Sequence, residues 1–370
     1  MAKYKPNIEF HHTKIASQAK KNVKDVLNST WLNEGKYVKE FERKLKEDWG
    51  LYYPAMTNSC TSALHLSLVV AGVGPGDEVI LPAQTFIATG MAILMVGAKP
   101  VFTDIDPNTG NMATGWQNHV TEKTKAVIPV HWGGMPCHMD SIKSEAKKCN
   151  IEVIEDAAHA FGATYVGRPI GTFSKFTCFS FQAIKFITSG DGGCVCTTDE
   201  ETHEELVRRK WFGFDKSKMM RRFEGDRGAL VNEIGYKYNM NDFTAAMGVG
   251  NLSVAEKRLL RRRYNAKKYE SAFRKISGIN TMFVSNGLSS YWLFTMRVKN
   301  RHDFIQHMRD KKIPVSVLDR RIDEHPVFGG ITKGLHGQRL FDKEQISIPV
   351  HDGLSDEDVN YIIDTVKKGW

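Results

Sequence analysis

The chain has 370 residues, 41% of them hydrophobic and 25% charged, with a formal net charge of +9. That length exceeds what one core usually serves, so two domains are expected, and the composition is that of an ordinary soluble globular protein. No run of 18 apolar residues occurs, which excludes a membrane-spanning helix, and residues 1–6 are polar without a signal-peptide core; a cytoplasmic location is the expectation.

In chain order, residues 36–48 carry helical spacing at Val38, Phe41 and Leu45, and residues 61–72 read as a helix rich in small residues. Residues 77–81 read as a short buried strand, 85–97 as a helix ending at Gly97, and 99–104, 125–131 and 151–156 as further strands. Residues 176–181 and 193–198 look like paired strands around a glycine-rich turn. A long charged helix covers roughly 250–275. After it come a strand at 290–298, a helix at 302–312, a strand at 313–318 and a terminal helix at 355–368. No low-complexity tract and no internal repeat interrupts this order.

Short apolar strands separated by helices predict an α/β fold, with a mainly parallel mixed sheet covered by helices on both faces. The change of texture places a domain boundary near residue 250, giving a large domain over 1–250 and a smaller C-terminal α+β domain over 251–370. In such sheets ligands sit beyond the carboxyl ends of the strands. The polar residues Asp104, His131, Asp156 and Lys185 are therefore the first candidates.

The six cysteines, Cys60, Cys137, Cys149, Cys178, Cys194 and Cys196, form no C-x-x-C pair and read as small buried thiols. The basic excess reads as a solvated surface, with attraction of an anionic substrate as the functional alternative. The densest basic run, KRLLRRR at 257–263, has Leu259 and Leu260 at inward spacing and resembles an amphipathic helix more than a nucleic-acid patch. No nucleic-acid or membrane partner is expected.

Three motifs carry chemistry. Lys185 lies in the apolar run FSFQAIKFI, ahead of TSGDGG. Burial lowers a lysine's pKa, which a Schiff-base lysine requires, and the glycines let backbone approach a cofactor. Asp156 ends the run VIED; it either caps the next helix or holds a cofactor's pyridinium nitrogen protonated. In TNSCTSALH, small hydroxyl residues lead into a helix whose N-terminal amides could bind phosphate, or Ser59 is a simple cap.

Together the runs TNSCTSALHLSL, GPGDEVILPAQTFIAT, GAKPVFTDID, VIEDAAHAFGATY, FSFQAIKFITSGDGG and IGYKYNMNDFTAAMG occur in an order that resembles the DegT/DnrJ/EryC1/StrS family, from about Trp31 to the C-terminus. These are fold-type I, pyridoxal 5′-phosphate-dependent sugar aminotransferases. The resemblance implies that Lys185 is the Schiff-base lysine, Asp156 the partner of the pyridine nitrogen, and Phe86 the aromatic stacked on the ring. It implies that His159 approaches the ring hydroxyl, that Ser59, Cys60 and Thr61 hold the phosphate, and that Ser180 also reaches it. The family commonly has G-[FY]-N-Y-R-M, whose Asn reaches the neighbouring subunit's phosphate; here Lys237 and Asn239 stand at the Asn and Arg positions. Arg320, Arg321 and His325, and Trp31 near the other end, fall where the family often places substrate contacts.

The implied reaction moves an amino group from L-glutamate to a keto sugar, a nucleotide-linked 4-keto or 3-keto 6-deoxysugar, in a homodimer with shared active sites. This places the chain in deoxyamino sugar or polysaccharide biosynthesis. The alternatives are a sugar dehydratase on the same cofactor, an aminotransferase for a small phosphorylated ketone, or a non-enzymatic regulatory relative. Family dehydratases carry His at the lysine position, so Lys185 favours transamination. No G-x-G-x-x-G follows the first strand and no G-x-x-x-x-G-K-[ST] occurs, which leaves a Rossmann dehydrogenase and a P-loop enzyme unsupported.

Overall fold

The computed structural model describes residues 7–215 and 231–370. Among them the strands are β1 (Ala55–Thr57), β2 (Glu78–Pro82), β3 (Lys99–Thr103), β4 (Thr124–Val127), β5 (Glu152–Asp156), β6 (Thr164–Tyr165), β7 (Arg168–Pro169), β8 (Phe176–Ser180), β9 (Gly193–Cys196), β10 (Ile279–Thr281), β11 (Gly287–Leu288), β12 (Phe294–Val298) and β13 (Gln345–Ile348).

Seven of these form the main sheet, in the order β1-β9-β8-β5-β4-β2-β3. The pairings of β3, β2, β4, β5 and β8 are parallel, and β9 runs antiparallel to both β8 and β1. All residues of β1, β2, β8 and β9 are buried, as expected for strands covered on both faces. The mixed, mainly parallel α/β sheet expected from the sequence is therefore present. Helix Cys60–Val70 is buried on all sides, with Leu64, His65, Leu66, Ser67 and Leu68 each buried in succession, which explains why it shows no amphipathic pattern.

A second antiparallel sheet, β10-β12-β13, backs a separate core of Tyr269, Phe273, Phe294, Phe304, Ile346 and Ile362. Truncating a buried phenylalanine such as Phe273 to alanine would cost about 3–5 kcal/mol. The terminal helix Asp356–Lys367 begins with a reciprocal cap between Ser355 and Asp358.

One local expectation fails. Residues 313–318 make only an isolated bridge, Ser316 to Ser347, because the chain turns away through a left-handed residue at Asp319. Helix Asp242–Leu252 spans residue 250, and Ile8 packs against the second core.

The basic run does internal work. On helix Ala255–Phe273, Arg258 donates to the Phe186 carbonyl (2.9 Å) and to that of Lys14, and Arg261 donates to the Leu354 carbonyl (2.7 Å). Arg262 donates to the Tyr291 carbonyl (3.3 Å), and Arg263 to those of Ser289 (2.9 Å) and Gly162 (2.8 Å). These guanidinium groups tie the helix to the Lys185 loop and to the second sheet.

Candidate active site

Lys185 follows β8 in a tight turn, its N–H bonded to the Gln182 carbonyl at 2.9 Å. The apolar run around it splits: Phe181, Phe186 and Ile187 are buried, while Gln182, Ala183 and Ile184 are exposed and Lys185 is half-buried. Its Nζ lies 3.8 Å from the ring centroid of Trp292, and Trp292 Nε1 donates to the Ile184 carbonyl at 3.4 Å. Burial brings the Lys185 amine down from 10.5 to about 8, opposed by the negative charges of Asp156 and Asp319. About a fifth of the amine is therefore neutral near physiological pH, against roughly a thousandth for an ordinary lysine.

Asp156 ends β5 in the centre of the sheet. Its Oδ2 accepts from Thr89 Oγ1 at 2.6 Å and its Oδ1 from the Ala158 N–H at 3.1 Å. Burial raises its pKa above the usual carboxylate value, against those hydrogen bonds and the Lys185 charge. A buried carboxylate in that position stays ionised when a cation partners it. Thr89 sits one turn after Phe86, which caps helix Ile87–Met95. That helix thus carries both an Asp156 partner and an aromatic ring that is 56% exposed.

At the far side, Ser59 caps helix Cys60–Val70 by accepting the Ser62 N–H at 3.1 Å. The first-turn amides of Cys60 and Thr61 have no acceptor within the helix. Gly193 of β9 lies directly on this turn: a Cβ there would be 2.5 Å from the Cys60 nitrogen, so only glycine fits. Ser180, at the end of β8, pairs with Gly193 and is buried. Burial pushes the Cys60 thiol well above its ordinary value, so it is a neutral lining group.

His159 is buried, and burial holds its imidazole well below the ordinary value, with Lys185 adding repulsion. Its ring stacks on Trp292 (3.8 Å between centroids, 18° between planes), and Nδ1 accepts the Gly133 N–H at 3.3 Å. That hydrogen bond assigns the proton of the neutral ring to Nε2. The N-terminal segment also reaches this place: His11 stacks on Trp292 at 5.5 Å, and Thr13 Oγ1 donates to the Ala183 carbonyl at 2.9 Å.

The other expected residues are placed differently. Lys237 is exposed; its Nζ lies 3.6 Å from the Trp211 ring centroid and donates to Asn239 Oδ1 at 3.1 Å. Its carbonyl accepts from Asn58 Nδ2 at 3.2 Å, beside the Ser59 turn. Trp31 is 61% exposed, donates to the Glu34 carbonyl at 3.2 Å, and lies against Gly35. Arg321 turns inward and forks onto Asp323 with two 2.6 Å hydrogen bonds, so its charge is spent inside the protein. Arg320 and His325 remain exposed.

Sequence reasoning missed Thr89, Trp292 and Asp319. Thr89 had a signal, one helical turn after Phe86; Trp292 and Asp319 come from the second half of the chain and had none.

A buried carboxylate that calls for a cation, a lysine amine near neutrality, an exposed aromatic face and free helix N-terminal amides fit a planar heteroaromatic phosphate with a basic ring nitrogen. Residues 13–367 match the DegT/DnrJ/EryC1/StrS aminotransferase family model. The chain belongs to that family. It is 32% identical to the GDP-perosamine synthase of Escherichia coli O157:H7, covering 98% of each chain. It is also 32% identical to the UDP-4-amino-4-deoxy-L-arabinose–oxoglutarate aminotransferase of Shewanella sediminis, covering 94% of each. Spr1654 of Streptococcus pneumoniae in its PLP form matches at a TM-score of 0.90, with 31% identity and 98% of each chain covered. The protein is a sugar aminotransferase, and its cofactor is pyridoxal phosphate.

Proposed function

We propose that this sugar aminotransferase moves an amino group from L-glutamate to a nucleotide-linked 4-keto or 3-keto 6-deoxysugar. Names of relatives support the acceptor class and the donor pair: one carries GDP and one carries UDP, a 4-amino sugar and oxoglutarate. The observation that carries the site assignment is Lys185, held in the turn after β8 with its Nζ 3.8 Å over the Trp292 ring and its amine lowered by burial.

The cofactor, when bound, supplies an electron sink that stabilises a carbanion at the donor's α-carbon. Lys185 Nζ would take the donor's α-proton as general base and pass it to the cofactor, and would move a proton the opposite way for the acceptor. Asp156, its carboxylate fixed by Thr89 and Ala158, keeps a positive charge at the pyridine nitrogen. Phe86 offers its face to the ring, the Cys60 and Thr61 amides with Ser59 and Ser180 hold the phosphate, and His159 Nε2 donates to the ring hydroxyl. Trp31, Arg320 and His325 remain candidates for the sugar or its nucleotide, and Arg321 acts on that loop through Asp323. Lys237 serves the phosphate of a partner subunit in a homodimer.

The test is a pair of half-reactions followed by absorbance. Cofactor-loaded protein should convert to the amine form with L-glutamate, then revert with nucleotide-linked keto sugars, yielding an amino sugar by mass spectrometry. Reversion only with a small phosphorylated ketone, or loss of a sugar hydroxyl as water, would overturn this reading.

A further inference from the structure

We propose that Asp319 is a specificity-determining residue of this site, its carboxylate accepting hydrogen bonds from ring hydroxyls of the sugar acceptor. The inference rests on the proposed site at Lys185. Asp319 has φ 48°, in the left-handed region that side chains other than glycine and Asn or Asp rarely adopt. Its carbonyl accepts from Gln84 Nε2 at 3.1 Å and from Gln345 Nε2 at 3.4 Å. The Gln84 amide is itself held by Gln338 Nε2 at 2.9 Å, and all three glutamines are fully or almost fully buried. Three residues on, the Ile322 N–H bonds to the Ala83 carbonyl at 2.9 Å. The turn is therefore pinned to residues 83–84, just before Phe86, by the start of β13 and by helix His336–Glu344.

With the carbonyl committed to these amides, the turn holds the Asp319 carboxylate within electrostatic reach of Lys185 and Asp156. Among the described residues the Asp319 carboxylate has no hydrogen bond and no ion pair. Arg321 is engaged by Asp323, and Arg320 is exposed with no carboxylate partner among the described residues. Yet Asp319 is half-buried and interacts electrostatically with both Lys185 and Asp156. An unpaired, partly buried carboxylate is costly unless something partners it in the working protein. An amino-acid donor brings carboxylates of its own and gains nothing there. A sugar brings hydroxyl donors, and O–H to carboxylate bonds are among the stronger ones.

The variants D319N and D319G suit the test, because both residues tolerate φ 48° and the backbone hydrogen bonds stay in place. Acceptor and donor half-reactions are measured separately on cofactor-loaded protein, with a nucleotide-linked keto sugar and L-glutamate as probes. The ratio of acceptor to donor apparent dissociation constants should rise about ten-fold or more in both variants, at unchanged melting temperature. A second readout uses cofactor-free protein: the pH profile of Lys185 amine labelling should move to lower pH in D319N, because a negative charge that favours the ammonium is gone. An unchanged ratio in a wild-type protein that aminates sugars overturns the Asp319 role alone. A wild-type protein inert to every keto sugar overturns both readings, and a labelling profile that does not move places Asp319 away from Lys185 and overturns the role as well.

Discussion

Replacing Thr89 with valine tests how the buried acid is held. The substitution keeps shape and β-branching and removes one hydroxyl, which donates to Asp156 Oδ2 at 2.6 Å. A hydrogen bond to a charged group contributes about 1.5–3 kcal/mol. Thr85 Oγ1, 2.7 Å from Thr89 Oγ1, loses its acceptor too and adds to the loss. Because burial already raises the Asp156 pKa, losing this donor, which favours the carboxylate, raises it further. The acid is then more often protonated and a poorer partner for a positive ring nitrogen. The expected result is a cofactor affinity weaker by about ten- to a hundred-fold, measured by absorbance titration of cofactor-free protein. Thr89→Ser, which keeps the hydroxyl, should restore most of it. A Kd for Thr89→Val within two-fold of wild type, at an equal melting temperature, would refute the coupling of Thr89 to Asp156.

Other outcomes follow from the same geometry. In the cofactor-free protein Lys185 has a folded pKa of about 8, below its ordinary 10.5; a depressed lysine costs stability below pH 8, and that cost fades as pH rises from 8 towards 10.5. Lys185→Met should therefore raise the melting temperature at pH 7 by up to a few degrees, with the gain vanishing near pH 10.5; a gain that grows with pH would contradict the sign. Arg321→Ala leaves Asp323 buried and unpaired, so about 3–5 kcal/mol of stability should be lost in denaturant titration, whereas Arg320→Ala should leave the melting midpoint in place and change only the acceptor KM. Mixing Lys185→Ala with Lys237→Ala subunits should regain activity above either parent, because one site of each mixed dimer then has both lysines; no regain would refute a shared site.

The main sheet was legible because β2, β5 and β8 each carry short apolar stretches, such as residues 79–81 and 153–154, that burial on both faces favours. Helix Ser17–Ser29 was not, since its buried positions are Ala19, Asn22 and Val26, a stripe too polar to stand out. Residues 313–318 read as a strand from their Val and Ile content, but Gln84 and Gln345 draw the next turn away from the sheet. Within the site, Lys185 and Asp156 could be read because each lies in an apolar run where a charge is anomalous. Trp292 and Asp319 could not, because their meaning comes from contacts across more than a hundred residues of chain. Arg321 looked the same as Arg320 in sequence; only the fold shows that Asp323 captures it.

The central claim is that Lys185 carries the cofactor. Borohydride reduction of cofactor-loaded protein, followed by peptide mass mapping, tests it directly. The account predicts the pyridoxyl group on Lys185 and none on the same protein carrying Lys185→Ala; a pyridoxyl group on another lysine of the wild-type chain, with Lys185 unmodified, would contradict it.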